Sequence, residues 1–261
     1  MIGVFDSGIG GLTVVQALRE RLPGHDIVYL GDTARTPYGS KSAATIVNYS
    51  LNNTDFLRRQ GARRIVIACN TASSYAFAAV RDHFDGPVFE VIGPGARLAL
   101  QRSRWGRVGV IGTRATVASG VYPRTFQALQ PQAKVYAAAC PLLVPLVEEG
   151  WIRKPETAMI VRKYLHPLKV KKIDTLILGC THYPVLRQVI QRKIGARVVL
   201  VDSAAAVAEQ VRDHLAAIPE GEARGEGGGR LKIFVTDTAD QFRKTARLIL
   251  KQPVTIEQAD L

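Results

Sequence analysis

The sequence predicts an α/β protein built as two pseudo-symmetric halves, each a mainly parallel sheet flanked by helices. Three observations carry that expectation. Short apolar runs rich in β-branched residues alternate with segments of helical periodicity. The alternation repeats once with sequence echoes, and each copy sets a cysteine directly after a strand. Ligands of open parallel sheets bind outside the carboxyl ends of strands, so the site is expected in the cleft where the halves face each other.

In chain order the runs are Ile2–Phe5, Ile27–Leu30, Ile65–Ala68, Val88–Val91, Val108–Ile111, Val135–Ala139, Thr175–Leu178, Val198–Val201 and Leu231–Val235. Being apolar on both faces, they read as central parallel strands. Helices such as Leu12–Arg21, Ser40–Arg59, Pro184–Lys193 and Ala204–His214 cover them. Ile2-Gly-Val-Phe followed by Asp-Ser-Gly is echoed by Val108-Gly-Val-Ile followed by Gly-Thr-Arg. Arg64-Ile-Val-Ile-Ala-Cys-Asn-Thr is echoed by Asp174-Thr-Leu-Ile-Leu-Gly-Cys-Thr-His. Two glycines around a proline in Ile92-Gly93-Pro94-Gly95 are expected to stop any regular element and to mark the break between halves. Residues 1–92 with 208–261 then form the first domain, completed by a C-terminal strand-helix-strand, and residues 93–207 form the second. The glycine-rich stretch Pro219–Arg230 reads as a mobile surface connection.

Composition narrows the function classes. With 47% hydrophobic and 22% charged residues the chain is globular, which excludes a disordered or collagen-like polymer. Three cysteines, 71 and 40 residues apart, make neither a disulfide framework nor a CxxC clip, so free thiols in a reducing compartment are expected. The opening Met1-Ile2-Gly3-Val4-Phe5-Asp6 lacks the features of a secretory signal, and no apolar run approaches the roughly 20 residues of a membrane span. A cytoplasmic protein with no membrane partner is expected. The formal charge is +13, but it is spread over pairs such as Arg58/Arg59, Lys171/Lys172 and Arg192/Lys193 near helix ends. Without a like-charge block or a nucleic-acid signature, this argues against dedicated nucleic-acid recognition.

Cys69 and Cys180 each follow an apolar run and precede an expected helix start. There the dipole and nearby N–H groups favour a thiolate, which is expected to lower the thiol pKa from about 8.5 toward neutrality. Free cysteines usually act as small buried hydrophobes, and Cys140, among Ala137, Ala138 and Ala139, keeps that reading. Cys69 is followed instead by Asn70-Thr71-Ala72-Ser73-Ser74, and Cys180 by Thr181-His182-Tyr183-Pro184. Two acid/base groups of one kind across a cleft suit inversion at a carbon: one removes a proton and the other supplies one to the opposite face. His182 can set the protonation of Cys180 or cap a helix. The turn Asp6-Ser7-Gly8-Ile9-Gly10-Gly11 fails as a phosphate loop, because GxGxxG requires glycine where Thr13 stands. It reads as a glycine-lined anion or amine site or as a capped helix start, and so does Thr36-Pro37-Tyr38-Gly39-Ser40. HExxH, GxSxG and zinc clusters do not occur, so metal hydrolysis and the common serine-hydrolase layout have no support.

Five segments, in this order across nearly the whole chain, carry a resemblance: Asp6-Ser-Gly-Ile-Gly-Gly-Leu, Pro37-Tyr-Gly, Ala68-Cys-Asn-Thr-Ala-Ser, Pro145-Leu-Val-Glu-Glu-Gly and Leu178-Gly-Cys-Thr-His-Tyr-Pro. The chain resembles the cofactor-independent aspartate/glutamate racemase family, and within it the glutamate racemases. The resemblance implies that Cys69 acts on D-glutamate and Cys180 on L-glutamate, with no cofactor and no metal. By the same matching, Asp6 and His182 assist the two thiols, and Glu148, chosen over its neighbour Glu149, supports His182. Substrate contacts are expected from Asp6, Ser7, Tyr38, Gly39, Asn70, Thr71, Thr181 and His182. The product D-glutamate would supply peptidoglycan synthesis in a bacterial cytosol. Some relatives carry an N-terminal extension and depend on a cell-wall precursor as activator; here the first motif begins five residues after Met1, and activity without that activator is expected. The resemblance leaves a homodimer open. Its alternatives are a racemase of aspartate or a hydantoin, and a basic binding protein with idle cysteines.

Overall fold

The structure, a computed structural model, describes residues 1–218, 228–237 and 240–261. Runs that are apolar on both faces are stable only between two layers of helices, and the chain gives them that cover in two sheets. β1 (Ile2–Asp6), α1 (Leu12–Arg21), β2 (Ile27–Gly31), α2 (Ala43–Arg59), β3 (Arg64–Ile67), α3 (Asn70–His83) and β4 (Val88–Glu90) begin the first. α4 (Ile92–Arg102) leads to β5 (Arg107–Gly112), α5 (Arg114–Ala118), α6 (Val121–Leu129), β6 (Lys134–Ala139), α7 (Leu143–Glu148), α8 (Pro155–Val170), β7 (Thr175–Gly179), α9 (Arg187–Ile194) and β8 (Val199–Asp202). α10 (Ser203–Ala216) returns the chain to the first sheet, where β9 (Leu231–Val235), α11 (Asp240–Leu250) and β10 (Ile256–Gln258) complete it.

The strand orders are β10-β9-β2-β1-β3-β4 and β6-β5-β7-β8, and the pairings among the described residues are parallel. Without β9 and β10 the first sheet reads β2-β1-β3-β4, the same order as the second, so the sequence echo is a structural one. Alternate residues divide between two cores in each half. Val4 joins Leu12, Val207 and Val211 on one face of the first sheet, while Phe5 joins Leu57, Ile65 and Val80 on the other. In the second, Leu178 packs with Leu165 and Ile190, and Ile177 with Ala96 and Phe126. α10 runs unbroken across residue 208, and its Ala204, Val207, Val211 and Leu215 all pack with the first sheet.

The structure corrects three expectations. Ile92-Gly93-Pro94-Gly95 is the first turn of α4 and interrupts nothing. Pro94 sits where a helix has no intrahelical acceptor for its N–H groups, so its missing donor costs nothing. The Glu90 carboxylate accepts from the N–H groups of Ile92 and Gly93 and caps this end, and Gly95 lets α4 lie close to Ser203 at the start of α10. Second, β4, β6 and β8 are edge strands, and β6 has no fully buried residue, so Val88–Val91, Val135–Ala139 and Val198–Val201 are not central. Third, two helices start later than expected. α2 begins after the Ser42 cap, whose Oγ accepts from Thr45 N at 3.3 Å, and α9 begins at Arg187 after a 3-10 turn, Tyr183–Leu186. Most of the glycine-rich stretch, residues 219–227, lies outside the described residues. At its end Arg230 is tied down, its backbone N–H donating to Asp26 Oδ1 at 2.9 Å and its guanidinium to Oδ2 at 2.7 Å.

The repeated strand glycines have a packing reason. A Cβ on Gly3 would lie 2.8 Å from Ala62 Cβ and 3.2 Å from Leu57 Cβ, and one on Gly109 would lie 2.5 Å from Ile173 Cδ1. Ala62 cannot swing aside, whereas an isoleucine methyl can rotate. Gly3→Ala is therefore expected to destabilise the protein by about 1–3 kcal/mol, and Gly109→Ala by less. Urea unfolding midpoints of the two variants check the order; equal midpoints would sink the packing argument.

Candidate active site

The site is built from strand ends. Asp6, the last residue of β1, is fully buried, and a buried carboxylate is stable only with hydrogen-bond donors. Its Oδ2 accepts from Gly8 N at 3.1 Å in the following turn. Its Oδ1 accepts from the Thr181 hydroxyl, also at 3.1 Å, in the other half. The glycines of this turn serve that close approach. A Cβ on Gly10 would stand 2.4 Å from Thr181 Oγ1 and 2.7 Å from His182 Nδ1. The Tyr29 hydroxyl pins the turn from below, donating to Gly8 O at 2.6 Å.

Cys69 follows β3 and is the N-cap residue of α3. Its Sγ lies 3.6 Å from Ser7 Oγ. The expected lowering of its pKa is overturned: burial, reinforced by the Asp6 carboxylate, pushes the thiol up to about 12 despite the Ala72 N–H and Ser7. Cys180 follows β7, but it starts no α-helix, because the chain makes a 3-10 turn before α9. Its Sγ is 3.9 Å from His182 Nδ1, and His182 Nε2 is 3.2 Å from Glu148 Oε1 at the end of α7. Burial opposes a charge on His182, but Cys180 and Glu148 outweigh it and push the imidazole up to about 10. Glu149, next along, is exposed and carries no such contact. Cys140 is fully buried in the core of the second half, where burial raises its thiol to about 12. It is a core residue.

Both thiols line one cavity of about 20 Å³ between the halves. Of the residues singled out in the sequence, Ser7, Tyr38, Gly39, Cys69, Asn70, Thr71, Cys180, Thr181 and His182 line it. Asp6 and Glu148 stand behind, each one hydrogen bond away. Pro37, from the turn read as a possible ligand site, also lines it, as do Thr113 and Val144, which were not foreseen. Thr113 had a signal: Gly112-Thr-Arg echoes Asp6-Ser-Gly, which puts Thr113 where Ser7 stands in the other half. Its hydroxyl is 2.9 Å from Thr71 Oγ1 and 3.0 Å from Thr116 Oγ1, so three hydroxyls meet across the halves. The loop bearing Tyr38 and Gly39 is anchored by Asp32, also unforeseen. This buried carboxylate accepts from the Tyr38 hydroxyl, from Arg35 Nε at 2.7 Å and from Thr236 Oγ1 at 3.1 Å. A wider groove of about 440 Å³ between α4 and α10 has neither thiol in its walls. Among the described residues no three His, Cys, Asp or Glu side chains are placed to hold a metal ion, and no helix is long and apolar enough to cross a membrane.

The Cys180–His182–Glu148 arrangement sets a titration. A raised pKa means that His182 carries its proton through neutral pH and loses it as pH rises through about 10. In NMR titrations Glu148→Gln is expected to move that midpoint toward the ordinary histidine value of about 6.5. A wild-type imidazole titrating near 6.5 would refute the pairing.

The sequence profile of the Asp/Glu/Hydantoin racemase family matches residues 12–211. The glutamate racemase of Aquifex aeolicus (strain VF5) is 46% identical over 253 residues, which cover 97% of this chain and 95% of the relative. Glutamate racemase isoform RacE1 from Bacillus anthracis has a similar crystal structure, with a TM-score of 0.94 at 35% identity over 100% of this chain and 97% of that one. The crystal structure of glutamate racemase from Francisella tularensis subsp. tularensis SCHU S4 in complex with D-glutamate gives a TM-score of 0.91 at 35% identity, over 99% and 97%. With its profile, sequence relatives and fold all in agreement, the chain belongs to the Asp/Glu/Hydantoin racemase family, among the glutamate racemases.

Proposed function

We propose that the protein interconverts L- and D-glutamate by a two-thiol proton transfer at Cα. The observation that carries this reading is that Cys69 and Cys180, one from each half, line the same small cavity with unlike support. The similarity to glutamate racemases supplies the substrate.

In the L to D direction Cys180, as thiolate, takes the α-proton: the Cα–H bond breaks, an S–H bond forms, and the electron pair stays on Cα. The Cys69 thiol then gives its proton to the opposite face and becomes the thiolate. The reverse reaction starts from that form; between turnovers the two sulfurs share one proton and one negative charge, and in the carbanion-like intermediate both sulfurs are protonated and the charge lies on the substrate. The His182 imidazolium places a positive charge beside the Cys180 sulfur, and Glu148 orients the ring. Burial and Asp6 keep Cys69 protonated and ready to donate. The substrate carboxylates meet Asn70, Thr71, Thr181 and Ser7, together with the backbone at Tyr38 and Gly39. The chemistry as written uses no cofactor.

A cavity of about 20 Å³ holds roughly one water, so the walls must part to admit an amino acid. Closure around the substrate expels solvent, which strengthens every electrostatic contact with the carbanion-like centre. All residues assigned a role come from one chain. We place the enzyme in the cytoplasm, where D-glutamate supplies peptidoglycan synthesis.

Incubation of L-glutamate in deuterated water is expected to exchange the α-proton and erase optical rotation. Cys69→Ser and Cys180→Ser should each lower the turnover by roughly 10²–10⁴-fold, the usual worth of a positioned acid or base, with circular dichroism unchanged. Full racemisation by either variant would refute the two-thiol reading.

A further inference from the structure

We propose that Tyr122 is a positioning residue for this reaction: its hydroxyl fixes the Asn70 amide so that the NH2 faces the substrate cavity, while its ring braces the turn bearing Cys180. The inference rests on the racemase reading above and assigns a part to a side chain that is not in the lining of the thiol cavity.

Tyr122 lies on α6 and is only 2% exposed. Its hydroxyl donates to Asn70 Oδ1 at 2.8 Å, a bond that spans the two halves. Asn70 is equally buried and lines the cavity, yet its Nδ2 has no hydrogen-bond partner among the described residues. A buried NH2 without an acceptor is costly, and at a cavity wall it marks where a ligand's acceptor belongs. A carboxylate oxygen of the substrate supplies one.

The amide can in principle turn over, presenting its oxygen to the cavity and repelling a carboxylate. Tyr122 decides between the two. In the flipped arrangement the phenol would have to accept from the amide, and its own buried proton would lose its acceptor. Burial holds that phenol protonated, aided by the negative charges of Glu90 and Cys180. The donor is therefore permanent, and it selects the orientation that offers NH2 to the substrate.

The ring acts at the other thiol. A Cβ on Gly179 would stand 3.3 Å from Tyr122 Cε2, so the ring lies against the residue immediately before Cys180. It is held there by Ile92, Val110, Phe126 and Ile177. One side chain thus touches the residue after Cys69 and the residue before Cys180.

The test compares Tyr122→Phe, Asn70→Ala and the double variant with the wild type in kcat and KM for both glutamate enantiomers. Tyr122→Phe keeps the ring and removes only the hydroxyl; KM is expected to rise about tenfold with a smaller change in kcat, and the urea midpoint to fall modestly because the buried Asn70 Oδ1 loses its donor. Because the hydroxyl acts through Asn70, the double variant should match Asn70→Ala within twofold. Asn70→Asp gives a reading without touching Tyr122: it keeps the oxygen that accepts from Tyr122 and replaces only the NH2, and KM should rise at least as far. Wild-type kinetics in Tyr122→Phe, multiplying effects in the double variant, or an unchanged KM in Asn70→Asp would overturn the inference. A wild-type protein that does not racemise glutamate would overturn the function proposed above, and this inference with it.

Discussion

A buried carboxylate that draws hydrogen bonds from both halves holds the site together. Asp6 accepts from Gly8 N in its own turn and from Thr181 across the cleft, and without them its burial would be prohibitive. The same charge sits beside Cys69 and raises its thiol. Structure and reactivity therefore share one group. The glycine at position 10 is the steric counterpart, since any side chain there would enter the Thr181–His182 turn and separate the halves.

From equivalent strand ends the two cysteines are given opposite surroundings. Cys69 has a carboxylate behind it and a neutral hydroxyl in front. Cys180 has an imidazole that is backed by a second carboxylate. Groups of one chemical kind become acid and base when their environments differ in this way. The internal repeat supplies the symmetry of position, and the partners Ser7, His182 and Glu148 supply the asymmetry of charge.

Much of this was legible in the sequence. Strands buried on both faces announce themselves as unbroken apolar runs, and the echo between Arg64–Thr71 and Asp174–His182 pointed to both thiol turns. What escaped depends on contacts between distant residues. Gly93-Pro94-Gly95 reads as a breaker by local rules, but Glu90 and Ser203 make it a helix start. The thiol of Cys69 was expected to ionise more easily, because the helix position is visible in sequence while its degree of burial is not. Asp32 and Tyr122 carry no motif, since each acts through the residue it holds.

The way β9 joins the first sheet bears on how the chain reaches this state. Leu231 pairs with Ile27, so one half needs strands from both ends of the polypeptide, while the other draws all its strands from Arg107 to Asp202. Pairings close in sequence form quickly and distant ones slowly. A chain made from its N-terminus therefore has every strand of the half carrying Cys180 in hand before β9 and β10 of the half carrying Cys69 exist. The first sheet is thus the one whose edge can close only when the chain is nearly complete.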